Sequence, residues 1–209
     1  IYMKIRDYYI RLLSLFNYPY ISDETLSDIK GPILLHISDT PVDIYNYIFR
    51  IIDILKPQFI IHTGDMADNV KLGIYKDKIS YYHQGAKKLI EGLEQNEYAT
   101  IYYVLGNHDD YETVRKLTKK GIILEEGLLS IDGCRLTVGH YYREYSCNAD
   151  FNLYGHSFEP GHSNKNGTID LNGLLNINVI DLSNKGVFHL DYPVGTNGSR
   201  RMKLSRIGL

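Results

Sequence analysis

Tryptophan is absent from this chain, and cysteine occurs twice, at positions 134 and 147. Two thiols are too few for a disulfide framework or a zinc ribbon. Long apolar runs are missing as well. The longest, Ile48 to Leu55, is broken by Arg50 and Asp53, so nothing matches the length of a bilayer span. The first residues lack the apolar core and small-residue cleavage site of a secretory leader. A cytoplasmic protein with no membrane partner is the expectation. Excess charge is lacking too: 23 Lys and Arg face 25 Asp and Glu, a formal net charge of −2. That balance argues against a specific nucleic-acid surface, which calls for a basic face. It leaves open a nucleotide or another small phosphoester as substrate, and it leaves the oligomeric state open.

The residues present are those of a globular protein. Hydrophobic residues are 44% of 209 and charged residues 23%, which excludes a disordered chain. A chain of this size buries roughly 70% of its unfolded surface, enough for one substantial core. One domain over residues 1–209 is expected, with a core from about 31 to 195. Apolar side chains at Ile5, Tyr8, Tyr9, Leu12, Leu13 and Phe16 have helical spacing and predict a helix over about 1–16. Arg200, Arg201, Lys203 and Arg206 make residues 199–209 basic and free of acids. A solvated tail or edge strand is expected there, with a phosphate-attracting arm as the lesser alternative.

Short apolar runs at Ile33–Ile37, Phe59–Ile61 and Ile101–Leu105 predict buried strands. Between them, the stripe Ile44, Ile48, Ile51, Ile52 and Leu55 predicts a helix, with Thr40 as its N-cap and Pro41 at its first position. Further helices are expected near Ser80–Gln95 and Glu112–Lys120. Strand and helix alternate, the pattern of an α/β layered fold. From Ile122 onward, Asp132-Gly133, Asn166-Gly167, Asn172-Gly173 and Lys185-Gly186 punctuate short strands and predict hairpins and mixed sheet.

Each of the first three strands runs into a polar signature. These are Ser38-Asp39, then Gly64-Asp65-Met66-Ala67-Asp68-Asn69, then Gly106-Asn107-His108-Asp109. Two Gly-His pairs follow, Gly139-His140 and Gly155-His156. Ligands of open α/β sheets bind outside the carboxyl ends of strands, so Asp39, Asp65, Asn107, His140 and His156 can converge. Carboxylate, amide oxygen and imidazole suit manganese, iron or zinc better than calcium. A divalent metal at such a site activates water and neutralises phosphoryl charge. Asp65 is placed to bridge two ions. His108, beside Asn107, is the candidate proton donor, and Asp68 is the candidate to hold its imidazole by a hydrogen bond.

This set resembles the calcineurin-like metallophosphoesterase family, whose pattern is D-x-H, G-D-x-x-D-N/R, G-N-H-D/E, G-H and G-H-x-H. The matching segments run from Asp39 to Phe158. The resemblance implies a four-layer αββα sandwich, two mixed β-sheets flanked by helices. It also implies a two-metal phosphoesterase site, with one ion on Asp65, Asn107, His140 and His156. Two positions depart from the pattern: Pro41 stands where D-x-H has its histidine, and Phe158 where G-H-x-H has its last. Both lost imidazoles belong to the other ion, which keeps only Asp39 and a share of Asp65. One tightly held ion is expected, with manganese first and iron or zinc as alternatives, and a second that is weak, absent or supplied with another ligand.

The reading is therefore a phosphoesterase acting on a mono- or diester through metal-activated water, with slow turnover. The alternative is a catalytically impaired protein of this fold serving as a binding or scaffold module. The remaining histidines are read more plainly. His36 and His62 are core histidines or support the ligands from behind, His83 and His189 are structural, and His162 is a surface-loop residue. Tyr141, Tyr142 and Tyr154 flank the ligand histidines, and core packing is their expected role.

Overall fold

The computed structural model describes residue 13, residues 18–145 and residues 148–201. The helix expected over 1–16, Cys147, Lys203 and Arg206 fall outside that set, Leu13 excepted. Among the described residues no helix is long and apolar enough to cross a membrane.

The first sheet has six strands in the order β11-β10-β1-β2-β3-β4. Its parallel part is β1 (Ile33–Ile37), β2 (Phe59–His62), β3 (Thr100–Val104) and β4 (Ile122–Leu124). On the other side of β1, β10 (Ile177–Asp181) and β11 (Gly186–Leu190) pair antiparallel. The second sheet is β5 (Gly127–Ile131), β6 (Cys134–Val138), β7 (Phe151–Tyr154), β9 (Thr168–Asn172) and β8 (Ser163–Lys165), in that spatial order. Its centre is parallel, β6 to β7 to β9, and hairpins close both edges.

The strand period decides which side chain enters which core. On β1, Ile33, Leu35 and Ile37 face one core and Leu34 the other. A short helix, α1 (Asp23–Asp28), precedes β1. The outer core lies between the first sheet and helices α2 (Tyr45–Leu55), α3 (Ile79–Glu94) and α4 (Tyr111–Leu117). The inner core, with Leu34, Ile61, Val104, Leu136, Phe151 and Leu171, lies between the two sheets. Two mixed sheets with helices bear out the expected α/β fold. On the far side of the second sheet, residues 142–145 and 148–149 line a hollow of about 310 Å³ with Thr137, Asn152 and Asp170.

Several local expectations shift. Thr40 does not cap α2. Its hydroxyl donates to the Met66 carbonyl and contacts His62 Nε2, so a 3-10 turn, Val42–Ile44, with Pro41 as its N-cap, leads into the helix. The apolar stripe is as read, with Ile44, Ile48, Ile51, Ile52 and Leu55 all buried. Helix α4 stops at Leu117 rather than Lys120, because the amides of Lys119, Lys120 and Gly121 turn to the Glu94 carboxylate. Asp132-Gly133 and Asn166-Gly167 form hairpin turns with both residues at positive φ, the geometry Asn-Gly and Asp-Gly favour. Asn172-Gly173 is no hairpin; β9 ends there, and Gly173 lies against His36 and Ser38.

The C-terminal expectation is overturned for Arg200. A short helix, Thr196–Ser199, presents it, and it is among the largest fully buried side chains of the protein. Its guanidinium donates to the carbonyls of Asp39 and Leu174, both at 2.7 Å, and lies over the Tyr192 ring. A planar, always-charged donor fork suits several carbonyls converging in one place.

Candidate metal centre

The carboxyl ends of β1, β2 and β3 deliver Asp39, Asp65 and Asn107 to one edge of the first sheet. The loops after β6 and β7 bring His140 and His156 from the second. Three of the turns need left-handed backbone at non-glycine residues, with φ of 51° at Asp39, 58° at Asp65 and 68° at His156. The crossing is tight: a Cβ on Gly64 would lie 2.6 Å from His140 Nδ1, and one on Gly106 2.2 Å from Asp65 Oδ1. Only glycine permits that approach.

Four expected ligands meet. His140 is fully buried, and its Nδ1 donates to the Thr63 carbonyl at 2.7 Å. In the neutral ring the Nε2 lone pair is then exposed to the cluster. It faces Asn107 Oδ1 at 3.0 Å, His156 Nδ1 at 3.2 Å and Asp65 Oδ2 at 3.5 Å. Asp65, His140 and His156 offer ligand atoms within 4.8 Å of one another. Carboxylate, amide oxygen and two imidazoles converging in one buried place form a donor set that fits a divalent transition metal. Burial raises the Asp65 pKa well above the ordinary value, helped by the charges of Asp39, Asp109 and Asp68. Burial and the His140 charge lower that of His156.

Asp39 is not part of this cluster. Its Oδ2 accepts from Ser38 Oγ at 2.6 Å and from the His156 amide at 3.0 Å. It orients the backbone of a ligand, and Arg200 holds its own carbonyl. Pro41 contributes only a turn.

The expected hydrogen bond from Asp68 to His108 is absent from the structure. Asp68 Oδ1 takes the Lys71 ammonium at 2.5 Å, and Asp68 Oδ2 is buried with no partner. His108 Nδ1 instead accepts from the Gly73 amide at 3.1 Å, and its own amide donates to Asp65 Oδ1 at 2.8 Å. The reason is local: Lys71 lies three residues beyond Asp68 and reaches it first. With Nδ1 accepting, the hydrogen of the neutral His108 ring sits on Nε2. Burial, then the charges of Lys71 and His140, hold the His108 pKa down to about 4. Asp65, Asp68 and His108 form a second group within 4.8 Å, but the Lys71 ammonium already neutralises its Asp68 corner.

Sequence reasoning missed four contributors. Asp109, the last residue of Gly106-Asn107-His108-Asp109, accepts from the amides of Asp65, Met66 and Gly106 and from the Tyr82 hydroxyl, all between 2.7 and 2.8 Å. Its place in the motif was the available signal. Tyr141 is not core: 40% exposed, its ring lies 4.3 Å from that of His156. Lys71 and Arg200 carry no local signature. Tyr154 is buried and donates to the carbonyls of Pro160 and Gly161, with Tyr142 edge-on against it. His36 and His62 are buried as expected, and His36 bonds Thr63 Oγ1 directly behind the His140 partner. His162 stays away from the centre, stacked on His189, and His83 is exposed on α3.

A family model described as calcineurin-like phosphoesterase matches residues 33–192. No curated protein sequence matches the chain. Among solved structures, one with a TM-score of 0.58 and 11% identity covers 78% of this chain and 100% of its own. Yfce, a phosphoesterase from E. coli, has a TM-score of 0.53 and 16% identity, covering 77% of this chain and 98% of that one. A protein from Thermotoga maritima reaches 0.45 with 23% identity, covering 77% and 99%. These likenesses concern the fold.

Proposed function

The chain belongs to the calcineurin-like phosphoesterase family, and from that premise we propose that it hydrolyses a small phosphate mono- or diester with one firmly held divalent ion, manganese first among the candidates. The observation that supports this reading most is the convergence of oxygen and nitrogen atoms of Asp65, Asn107, His140 and His156 in one place. When bound, a divalent cation supplies Lewis acidity toward a phosphoryl oxygen and eases the deprotonation of water.

The chain's own residues divide the remaining work. The Thr63 carbonyl fixes the His140 tautomer, as a partner behind a ligand imidazole does. The Asp39 carboxylate orients the His156 backbone. The His108 amide pins Asp65 Oδ1 and so ties His108 to the ligand. Its Nε2–H is then available to donate a hydrogen bond to an oxygen gaining charge on the phosphoryl group or its leaving alkoxide. That placement supports the role expected for His108, donating to the leaving oxygen or stabilising the charge that develops on it. Tyr141 lies against the His156 ring.

An assay on an aryl phosphate with added Mn²⁺ tests the reading. Wild type is expected to turn over slowly, Asn107→Ala to lose most of its bound metal and its activity together, and His108→Ala to keep metal while losing about 10²–10³-fold in kcat. Equal background rates in all three proteins would remove the enzyme reading and leave the binding module.

A further inference from the structure

The Lys71 side chain is only 11% exposed, an uncommon position for an ammonium. Its single hydrogen-bond partner among the described residues is Asp68 Oδ1, at 2.5 Å. An ammonium carries three N–H donors, so two remain to be used. A lysine buried for structure alone is normally surrounded by acceptors, because an unsatisfied buried charge is costly. Here the unused donors belong to a group beside the site. Asp68 offers a ligand atom within 4.8 Å of Asp65 and His108, and the Lys71 charge is felt at both His108 and His156.

The segment carrying Lys71 is fixed to the centre. The Lys71 backbone is left-handed, φ 52°, and its carbonyl accepts from the amides of Ile74 and Tyr75, both at 2.9 Å. Two residues on, Gly73 donates to His108 Nδ1, and a Cβ there would fall 2.5 Å from the Asn107 carbonyl oxygen. The segment is thus held against the His108 ring and the Asn107 backbone, and Asp68 holds the ammonium.

We propose that Lys71 is a phosphate-binding residue, its ammonium taking a phosphoryl oxygen opposite the metal-ligand cluster. The inference rests on the phosphoesterase reading and deepens it. One divalent ion leaves a phosphoryl dianion with its charge unevenly met, and a fixed monovalent cation beside Asp68 completes the match. It also explains why Asp68 is buried: the carboxylate aims the ammonium, leaving His108 to its own hydrogen bonds. Lysine serves as a point charge toward phosphate.

The test is titration calorimetry of inorganic phosphate into the Mn²⁺-loaded protein, with bound metal measured on the same samples. Lys71→Met is expected to weaken phosphate binding about ten- to a hundredfold, the range for a lost charge-assisted hydrogen bond. Lys71→Arg should restore most of it, and all three proteins should carry the same metal. Phosphate affinity in Lys71→Met within twofold of wild type would overturn the assignment. So would a loss in Lys71→Met that follows its metal content, which would mark the pair as structural. If wild type itself binds no phosphate, the phosphoesterase reading falls first and Lys71 goes with it.

Discussion

The first sheet buries carboxylates at both of its ends. At the end where β1 begins and β10 finishes, Asp181 accepts from the amides of Lys30, Gly31 and Ser183 and from the Ser183 hydroxyl. At the same end but the far edge of the sheet, where β4 begins, Glu94 accepts from the amides of Lys119, Lys120 and Gly121 at 2.8 to 3.0 Å. At the opposite end, Asp65 faces lone pairs and Asp68 keeps one oxygen with no partner. Burial acts on all of them, and the outcome differs with the donors supplied. For Asp181 the hydrogen bonds outweigh burial and hold the pKa down to about 2. For Asp68, burial and the Asp39 charge win, and the pKa rises to about 6 despite Lys71. Burial alone therefore does not mark a functional carboxylate. Saturation with N–H donors marks a structural one, and a deficit marks one that awaits a cation. Asp109 lies between the two classes: four donors satisfy it, yet burial still raises its pKa.

The largest effect expected from this contrast is at Asp65. Asp65→Asn removes a ligand charge while an amide oxygen can still accept from the His108 amide. Manganese affinity should fall by more than about a hundredfold, beyond the loss seen when a mere supporting partner is removed. The urea midpoint of the metal-free protein should stay level or rise, because a carboxylate crowded by Asp39, Asp109 and Asp68 is gone. Calorimetry and urea unfolding on one preparation read both. Unchanged metal affinity would break the contrast at its functional end.

Most of that functional end was legible in the sequence, because its residues follow strands whose apolar runs are short and unmistakable. Asp39, Asp65, Asn107, His140 and His156 each sit where a strand stops, and the strand ends of two packed sheets meet at one end of the sandwich. What was hidden depended on side chains rather than order. Asp68 was read as the partner of His108, but nothing in the spacing shows that Lys71 turns back on a left-handed residue to reach it. Arg200 reads as part of a basic tail, and only the tertiary fold reveals three carbonyls waiting for it. Thr40 looked like a cap because Thr-Pro is a common helix start; its hydroxyl was drawn to Met66 by the packing of β2's loop. Glu94 gave no signal at all, since a helix-terminal glutamate is ordinarily solvated.

Glu94 provides the next test, at the structural end. Glu94→Gln keeps one acceptor oxygen and sets an amide NH₂ against the amides of the loop before β4. Stability should drop by about 2 kcal/mol, the cost of leaving part-buried donors unmet, measured from the urea midpoint at constant m-value. Manganese affinity should not move. A protein that loses metal with this substitution would show that the two ends of the sheet are coupled and that the division drawn here is false.

The smallest effect sharpens the contrast through pH. The folded pKa of Asp181 is depressed, so its contribution is fully present above the ordinary aspartate value near 4 and disappears as pH falls through about 2. The stability difference between wild type and Asp181→Asn should thus be flat from pH 7 to about 4 and shrink below. Asp68 has the opposite sign in the metal-free protein. Its folded value is raised to about 6, so the neutral carboxyl favours the fold, and stability from this group rises as pH falls from about 6 toward 4. Chemical unfolding of metal-free wild type, Asp181→Asn and Asp68→Asn across that range compares the two slopes directly. Parallel slopes would mean that donor supply does not separate the carboxylates, and the criterion that singles out Asp68 and Lys71 as the working pair would have no physical basis.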